Sequence, residues 1–251
     1  MDGHSYRQEG NAIWGKPYRA AFYVWRHAPW VRSVFSRNAL AKRVKTAGRD
    51  FLARFAGRDD LYNGEYYSYV DAEASRSAPV IVDSIVSQFA ASRIVDVGCG
   101  TGALLAEFRS RGVAGVGLEY SQAALEICRK RQLEVYPFNI ESHRPIELGG
   151  LDVAICFEVA EHLAAAFADP LVDLLVHLAP RVIFTAATPG QGGGADHVNE
   201  QPHEYWIAKF AERGYPLRQP LSEQWRRDWH QRNVAGFYAK NVMIFERASI
   251  T

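Results

Sequence analysis

The chain has 251 residues, of which 48% are hydrophobic and 23% charged, and its formal net charge at pH 7 is +1. This composition is that of an ordinary globular protein and excludes a disordered chain, a collagen and a coiled-coil rod. Its apolar stretches have the length of strands, so we predict no transmembrane segment, and the first ten residues lack the apolar centre of a secretory signal. The three cysteines, Cys99, Cys128 and Cys156, are too few for a disulfide framework or a zinc site and indicate a cytoplasmic protein.

The first predicted region, residues 1–78, is rich in basic residues. Residues 1–58 contain twelve Lys and Arg against three Asp and Glu, a balance of +9, whereas the rest of the chain has a balance of −8. Apolar and aromatic residues from Trp14 to Phe55 recur at helical spacing, with Pro29 between two stretches. We therefore predict an N-terminal helical extension that either packs on the main body or lies on an anionic membrane surface. The overall pI of about 7.8 argues against a nucleic-acid partner.

The second predicted region, residues 79–251, alternates between strands and helices. Apolar spacing and turn signals predict, in order, helix Pro79 to Ala90, strand Arg93 to Val97, helix Gly102 to Arg111, strand Val113 to Leu118, helix Ser121 to Gln132, strand Glu134 to Phe138, strand Leu151 to Phe157, helix Asp169 to Leu178, strand Arg181 to Ala186, helix Glu204 to Arg213 and strand Tyr238 to Glu246. Strands that alternate with helices build a parallel sheet covered on both faces. We therefore predict an α/β fold with a doubly wound, mostly parallel sheet.

The most informative segment follows the first of these strands and reads Asp-Val-Gly-Cys-Gly-Thr-Gly from Asp96 to Gly102. Glycines let the backbone approach a ligand closely, and the helix that begins there offers unpaired N–H groups. Glu119 ends the second strand, where a doubly wound sheet presents an acid to ribose hydroxyls. The alternative is a glycine turn without a ligand. Strand, loop, helix and terminal acid in this order favour a cofactor that contains a nucleoside.

The spacing of the glycines separates two kinds of cofactor. A dinucleotide fingerprint is G-x-G-x-x-G, whereas this loop reads G-x-G-x-G, with Asp96 two residues before the first glycine. The loop closely resembles the first motif of the class I S-adenosylmethionine-dependent methyltransferases, and the resemblance extends from Pro79 to Arg247 in four segments. It implies S-adenosylmethionine as the cofactor and a seven-stranded sheet of the Rossmann-like methyltransferase type.

The same resemblance implies a set of cofactor-binding residues. They are Gly98, Cys99, Gly100 and Gly102 at the methionine part, Asp96 at the ammonium group, Glu119 at the ribose and Tyr120 at the adenine. After the third strand the family usually has an Asp, where this sequence has Asn139 and Ile140, and Asn can still accept a hydrogen bond through its side-chain carbonyl. Segment 151–163 resembles the fourth strand and its turn, and its end, which includes Glu158, would face the transferring methyl group. Cys99 is expected to be a small packing residue rather than a nucleophile.

Methyl transfer to a hydroxyl needs a base, which we expect in a loop at the carboxyl ends of the strands. A glycine-rich polar loop follows the fifth strand, and in it Asp196 can orient His197 and raise its basicity, so we predict His197 as the general base. The alternative is a surface loop of turn residues. His162, after the fourth strand, is the second candidate for base and for substrate contact. The other predicted substrate-binding residues are Tyr67, in a tyrosine-rich segment that similar enzymes fold over the cofactor as a lid, and Asn199, Gln201, His203 and Tyr205 in the polar loop.

These residues lead to one predicted function and several alternatives. We predict S-adenosylmethionine-dependent O-methylation of a hydroxyl on a small molecule, such as a sugar or a secondary metabolite. A metal-assisted variant would use Asp196, His197, Asn199 and Glu158, but their spacing is not a recognised metal signature, so we predict no metal. The alternatives are N-methylation of a small amine, an NAD(P)-dependent oxidoreductase, which the glycine spacing disfavours, and a non-catalytic binding protein, which the intact loop and Glu119 disfavour. The oligomeric state stays open.

Overall fold

A computed structural model describes residues 64–142, 146–191 and 197–248, with the backbone alone for residues 64–70. These residues fall within one compact unit, Ala56–Thr251. The helical pair predicted between Trp14 and Phe55 lies outside the described residues.

Helices and strands alternate along the described chain. The helices are α1 (Gly64–Phe89), α2 (Ala103–Ser110), α3 (Gln122–Lys130), α4 (Ala168–Leu178), α5 (His203–Ala211), α6 (Gln219–Gln231) and α7 (Gly236–Asn241). The strands are β1 (Arg93–Val97), β2 (Ala114–Glu119), β3 (Glu134–Pro137), β4 (Val153–Phe157), β5 (Arg181–Thr185) and β6 (Met243–Glu246). The hydroxyl of Ser121 accepts a hydrogen bond from the amide of Ala124 and so caps the beginning of α3. No described helix is long and apolar enough to cross a membrane.

The strands form one sheet in the order β3-β2-β1-β4-β5-β6. The first five are parallel, and β6 is antiparallel to β5. The strand order reverses between β1 and β4, which both carry their carboxyl ends at the same edge of the sheet. A crevice at such a switch point is where open α/β sheets bind ligands. The predicted doubly wound, mostly parallel fold is confirmed.

The alternation of side chains along each strand divides the apolar core between the two faces of the sheet. On β4, Val153 and Ile155 belong to a core that includes residues of α1, α2, α6 and α7, whereas Ala154 and Cys156 belong to a core that includes residues of α4 and α5. Successive residues of a strand point to opposite faces, so a strand covered on both sides must be apolar throughout. This is why β4 reads as an uninterrupted apolar run, buried at all five positions.

Helix α1 begins before the position predicted for it. The prediction started the helix at Pro79, but the helix runs from Gly64 and contains Pro79 in its interior. Its buried stripe includes Ala74 and Ala78, which continue the spacing of Ile81 toward the N-terminus. The predicted boundary between residues 78 and 79 therefore falls inside a helix.

The sheet has six strands in the described residues, so the predicted number of seven is wrong. Where a further edge strand would lie beyond β6, Leu217 makes a single antiparallel bridge to Phe245. Two prolines, Pro216 and Pro220, flank this bridge, and a proline has no amide hydrogen for a strand ladder. The chain then turns directly into α6, which was not predicted as a helix.

The last predicted strand, Tyr238 to Glu246, is partly wrong. Its first half forms helix α7, and only Met243–Glu246 is a strand. The apolar residues of the two elements follow one another without a break, so periodicity alone does not separate them.

Candidate active site

The glycine loop between β1 and α2 has the backbone that its sequence predicts. Gly98, Gly100 and Gly102 have φ angles of 78°, 53° and 78°, in the left-handed region that favours glycine. A Cβ at Gly98 would lie 2.4 Å from Cγ2 of Val159, in the turn after β4, so this glycine lets the two loops touch. A Cβ at Gly100 would meet no atom within 4 Å. The backbone at Gly100 is thus open to a ligand.

Glu119 connects the ends of β1 and β2. Its carboxylate accepts hydrogen bonds from the amide of Gly100 at 2.8 Å and from the amide of Ser121 at 2.7 Å. Burial raises the pKa of Glu119, and these backbone hydrogen bonds oppose the rise. A carboxylate oxygen has two acceptor sites, so both oxygens can still accept from hydroxyl groups. Glu119 therefore holds the glycine loop in place and keeps capacity to bind a diol.

Asp96 is the second buried acid at this end of the sheet. It lies near the end of β1, between Gly117 of β2 and Ile155 of β4. Burial, and then the charge of Glu119, raise the pKa of Asp96 to about 8. A carboxyl group in this environment favours a cationic partner, because a nearby positive charge offsets both effects.

The remaining predicted cofactor residues lie around this edge of the sheet. Tyr120 follows Glu119 and is 47% exposed, so its ring is available to stack on a ligand. The side-chain carbonyl of Asn139 accepts from the amide of Glu141 at 2.9 Å, which orders the short turn Ile140–Ser142. Cys99 is buried, and the pKa of its thiol is raised well above the usual value by its hydrogen bond with Cys128, then by burial and neighbouring acids. This agrees with the predicted packing role.

These features fit S-adenosylmethionine. The buried acid Asp96 suits an ammonium group, Glu119 can accept from ribose hydroxyls, and the open backbone at Gly100 leaves room for the ligand chain. Tyr120 and Ile140 offer apolar surface near the end of β2 and after β3.

A contact that the sequence analysis did not predict ties α1 to the glycine loop. The carboxylate of Asp71 accepts from the hydroxyl of Thr101, inside the loop, and from the guanidinium of Arg131 at the end of α3. Arg131 also donates to the backbone carbonyl of Thr101 at 3.1 Å. No local sequence signal marks Asp71, because its partners are 30 and 60 residues away.

The turn after β4 brings two acids and a histidine to the same edge. Glu158 has a φ of 54°, an uncommon conformation for a residue other than glycine, and its amide donates to Thr185 of β5. Burial, and then the charge of Glu161, raise the pKa of Glu158 well above its usual range. Glu161 is fully buried at the first turn after the strand and is followed by His162.

The polar loop after β5 docks on this turn. The backbone carbonyl of Glu161 accepts from the amides of Val198 at 2.8 Å and Asn199 at 3.0 Å. These two hydrogen bonds place the ring of His197 against the ring of His162, with centroids 4.9 Å apart and planes at 80°. The structure therefore brings together the two histidines that were predicted as candidate bases.

The partner of His197 in the described residues is Glu200. Nδ1 of His197 lies 2.8 Å from Oε1 of Glu200, whose other oxygen accepts from the amide of Gly190. The prediction gave this orienting role to Asp196, which lies outside the described residues. The i, i+3 spacing of His197 and Glu200 is the signal that could have identified this pair.

The structure places the other predicted substrate residues in different surroundings. Asn199 is buried in the docked loop, and its side chain accepts from the side chain of Gln201 at 2.9 Å. His203 lies 3.4 Å from Asn241, and burial, with the charge of Arg226, lowers its pKa. Tyr205 instead packs against Trp206 and under the ammonium group of Lys209. The side chain of Tyr67 is not among those described.

Two further buried polar residues, Asn241 and Glu161, were not among the predicted site residues. Asn241, on α7, donates to the side chain of Gln191 at 2.9 Å. Glu161 has no hydrogen-bond partner for either carboxylate oxygen within the described ranges. The spacing Glu-x-x-Glu-His from Glu158 to His162 carries a signal for Glu161, whereas Asn241 has none in the sequence.

Comparisons with known proteins agree with the methyltransferase family and fold. A family model described as a methyltransferase domain matches residues 40–239. Ubiquinone biosynthesis O-methyltransferase of Acinetobacter baylyi is 26% identical over 134 residues, which make up 51% of this chain and 52% of that protein. The protein of the same name from Acinetobacter baumannii strain ACICU is 32% identical over 134 residues, with the same coverage. This chain thus spans about half the length of these curated relatives.

Solved structures share the fold. DesVI from Streptomyces venezuelae has a TM-score of 0.54 at 16% identity, over 77% of this chain and 99% of that one. CalS10 from Micromonospora echinaspora, an amino pentose methyltransferase with S-adenosylmethionine bound, has a TM-score of 0.53 at 19% identity, over 74% of this chain and 97% of that one.

Proposed function

Since this chain belongs to the class I S-adenosylmethionine-dependent methyltransferases, we propose that it methylates a hydroxyl group of a small molecule, with His197 as the general base. S-adenosylmethionine, when bound, supplies a methyl group on a positively charged sulfur. The methyl carbon is therefore already electrophilic, and the protein does not need to activate it. The residues of the chain then have two tasks, which are to position the acceptor oxygen and to remove its proton.

The observation that carries the proposal is the pair His162 and His197, held at the carboxyl ends of β4 and β5 with their ring centroids 4.9 Å apart. The carboxylate of Glu200 engages Nδ1 of His197, which directs Nε2 away from Glu200 and leaves it as the proton acceptor. A Cβ at Gly98 would lie 2.4 Å from Cγ2 of Val159, the residue after Glu158. The turn that carries His162 therefore adjoins the glycine loop. A base here lies on the side of the sheet where the methyl group would be delivered.

The nature of the acceptor follows from the surroundings of His197. Val198, beside it, is 62% exposed, and Asn199 and Gln201 lie next to it along the loop. An apolar residue next to polar side chains suits a small molecule that carries both a carbon skeleton and hydroxyl groups. The curated relatives that match half of their length are named O-methyltransferases, which supports oxygen as the acceptor atom. We propose a sugar or a secondary metabolite as the acceptor class.

The test is an acceptor screen with the full chain. Phenols, catechols, sugars and amines are incubated with S-adenosylmethionine, and S-adenosylhomocysteine is measured. Once an acceptor is found, His197→Ala should lower turnover on the order of a hundredfold or more, because the hydroxyl keeps its proton, while the dissociation constant for S-adenosylhomocysteine changes less than about twofold.

The control is His177→Ala. His177 is an exposed histidine on α4 that also lies near a glutamate, Glu147, but it is not among the predicted site residues. This variant should keep full turnover. Turnover by His197→Ala equal to that of the wild type would refute the role of His197, and a screen in which amines alone are methylated would refute oxygen as the acceptor.

A further inference from the structure

The carboxylate of Glu161 is buried and has no counterion among the lysines and arginines of the described residues. The residue is 0% exposed, and neither Oε1 nor Oε2 has a hydrogen-bond partner in the described part of the chain. No described lysine or arginine forms an ion pair with it. An ionised carboxylate without a partner in a protein interior is strongly unfavourable, so such a group indicates a cation or a proton that is held at this place.

Two imidazoles lie where they could share a cation with Glu161. One ligand atom each of Glu161, His162 and His197 lies within 4.8 Å of the other two. Two ligands that bind one ion at about 2.1 Å are at most about 4.2 Å apart, so a small closure brings all three into coordination distance. The two histidines are partly exposed, which gives an ion a route from solvent.

The groups around these three side chains are those of a metal site. The carboxylate of Glu200 lies 2.8 Å from Nδ1 of His197, and a carboxylate on the far nitrogen of a ligating histidine is the usual second contact that fixes the ring. Oε1 of Glu158, on the same turn as Glu161, is also buried without a hydrogen-bond partner in the described ranges. Glu158 is therefore a second carboxylate, three residues before Glu161, that could join the three side chains.

We propose that Glu161, His162 and His197, with Glu158 beside them, form a binding site for a divalent transition-metal cation. Two imidazoles and a carboxylate suit ions such as Mn²⁺ and Zn²⁺, and three protein ligands leave a coordination position open. The site differs from the ligand set considered from the sequence, which lacked Glu161 and His162, and from the prediction that no metal is bound.

The consequence for catalysis rests on the proposed function. An acceptor hydroxyl oxygen at the open position would lose its proton to solvent more readily, because the ion stabilises the resulting oxyanion. With an ion bound, Nε2 of His197 would be a ligand, and the ion would replace the imidazole as the group that promotes loss of the hydroxyl proton.

The first experiment measures metal binding without an acceptor. Untagged full-length protein is treated with a chelator, and MnCl₂ is titrated while free Mn²⁺ is followed by electron paramagnetic resonance. We expect one saturable site per chain that Glu161→Gln and His197→Gln each weaken at least about tenfold. His177→Ala, which changes the exposed pair of His177 and Glu147, is the matched control and should leave binding unchanged. Absence of a saturable site, or equal binding by all variants, would overturn the proposal.

The second experiment uses thermal unfolding, since Glu161 is fully buried and its variants must be shown to fold. Mn²⁺ should raise the melting temperature of the wild type and leave that of Glu161→Gln unchanged, because an ion that binds only the folded state stabilises it. Without metal, Glu161→Gln should melt close to the wild-type temperature, because neither oxygen of Glu161 makes a hydrogen bond in the described residues that the amide would lose. A metal-free variant that melts well below the wild type would contradict the unpartnered carboxylate on which the proposal depends.

Failure of the metal site and failure of the proposed function are distinguishable. If the chelator-treated protein binds no Mn²⁺ or Zn²⁺ and still methylates hydroxyl groups, the metal site is wrong and the proposed function stands. If it binds Mn²⁺ through Glu161 and His197 but no hydroxyl is methylated, the metal site stands and the proposed function is wrong.

Discussion

The guanidinium of Arg131 and the carboxylate of Asp71 form a two-point contact, with Nη1 to Oδ1 at 2.9 Å and Nη2 to Oδ2 at 2.8 Å. The hydroxyl of Thr101, in the glycine loop between β1 and α2, donates to the same carboxylate. Burial alone would raise the pKa of Asp71, but hydrogen bonds from Arg131 and Thr101 lower it overall. Helix α1, the glycine loop and the end of α3 therefore meet at the carboxylate of Asp71.

Asp71→Asn should weaken cofactor binding, although Asp71 is not expected to touch the cofactor. The amide loses one of the two acceptor oxygens that Arg131 and Thr101 share, so Thr101 and its loop become less ordered. We expect a rise of several-fold in the dissociation constant for S-adenosylhomocysteine, measured by calorimetry, and a loss of about 1 kcal/mol of stability in urea, since the pair is partly exposed.

The control for Asp71 is Glu107→Gln on α2, which removes one partner of the surface pair Glu107 and Arg111. That pair touches no loop residue among the contacts described, so cofactor affinity should stay at the wild-type value. An Asp71→Asn protein that binds the cofactor as tightly as Glu107→Gln does would show that the contact serves stability alone.

Glu119→Gln should weaken cofactor binding more than Asp71→Asn does. The glutamate accepts from the amides of Gly100 and Ser121 with different oxygens, and a glutamine can keep only one of these hydrogen bonds. Together with the weaker interaction with the ribose, this should raise the dissociation constant on the order of tenfold or more. The matched variant Glu134→Gln, at an exposed position of the neighbouring strand β3, should have no effect on calorimetric titrations.

Binding of S-adenosylmethionine should release a proton from Asp96 near neutral pH. The pKa of Asp96 is about 8 in the cofactor-free protein, so the carboxyl group is mostly protonated at pH 7, and an ammonium group next to it favours the ionised form. Calorimetry in buffers of different ionisation enthalpy should therefore detect release of up to about one proton at pH 7 and none above about pH 9.

Asp96→Asn is the comparison. In this variant the side chain at position 96 cannot release a proton, whereas the ionisation of the cofactor itself is unchanged. The difference in proton release between the two proteins then belongs to Asp96. The raised pKa also means that the folded state binds this proton more tightly than the unfolded state does. Stability of the cofactor-free wild type should therefore fall as the pH rises from about 4 to about 8, and Asp96→Asn should reduce that fall. Identical proton release by both proteins would place the ammonium group elsewhere.

Gly98→Ala should destabilise the protein by more than its backbone conformation explains. The added Cβ would lie 2.4 Å from Cγ2 of Val159, in addition to the cost of about 1 kcal/mol for a left-handed alanine. Gly112→Ala separates the two effects, because its φ is 75° and its Cβ would meet no atom within 4 Å. We expect Gly98→Ala to cost about 1–3 kcal/mol more than Gly112→Ala in urea unfolding.

A double substitution tests whether Val159 is the cause. Val159→Ala removes both methyl groups that the new Cβ would meet, so Gly98→Ala should cost less in the Val159→Ala background than in the wild type. Additive effects of the two substitutions would mean that the strain at Gly98 arises from another contact.

The cofactor half of the site could be predicted because its signals are local. The loop from Asp96 to Gly102 sits within one strand-loop-helix unit, and Glu119 ends the next strand at a position that the parallel register fixes. The two cores of the sheet follow from apolar strand residues that alternate between faces.

For the acceptor half of the site, the sequence provides candidate residues but not the contacts between them. The hydrogen bonds from Val198 and Asn199 to the carbonyl of Glu161 join two loops that lie far apart in the chain, and no spacing rule predicts them. Helix α6 was missed for another reason, because polar residues dominate it and its burial depends mainly on Trp225 and Trp229. Such a helix is identified by the partner on which it packs, and here that partner includes α1.

The lone bridge between Leu217 and Phe245 also bears on how the molecule behaves in a crowded solution. An open strand edge is a template on which a second chain can add by backbone pairing and start an aggregate. Here the outer side of β6 is covered at its centre by Leu217 between two prolines, and β3, at the opposite edge, is four residues long and ends in Pro137. Both margins of the sheet thus resist the templated growth that turns soluble β-structure into fibres.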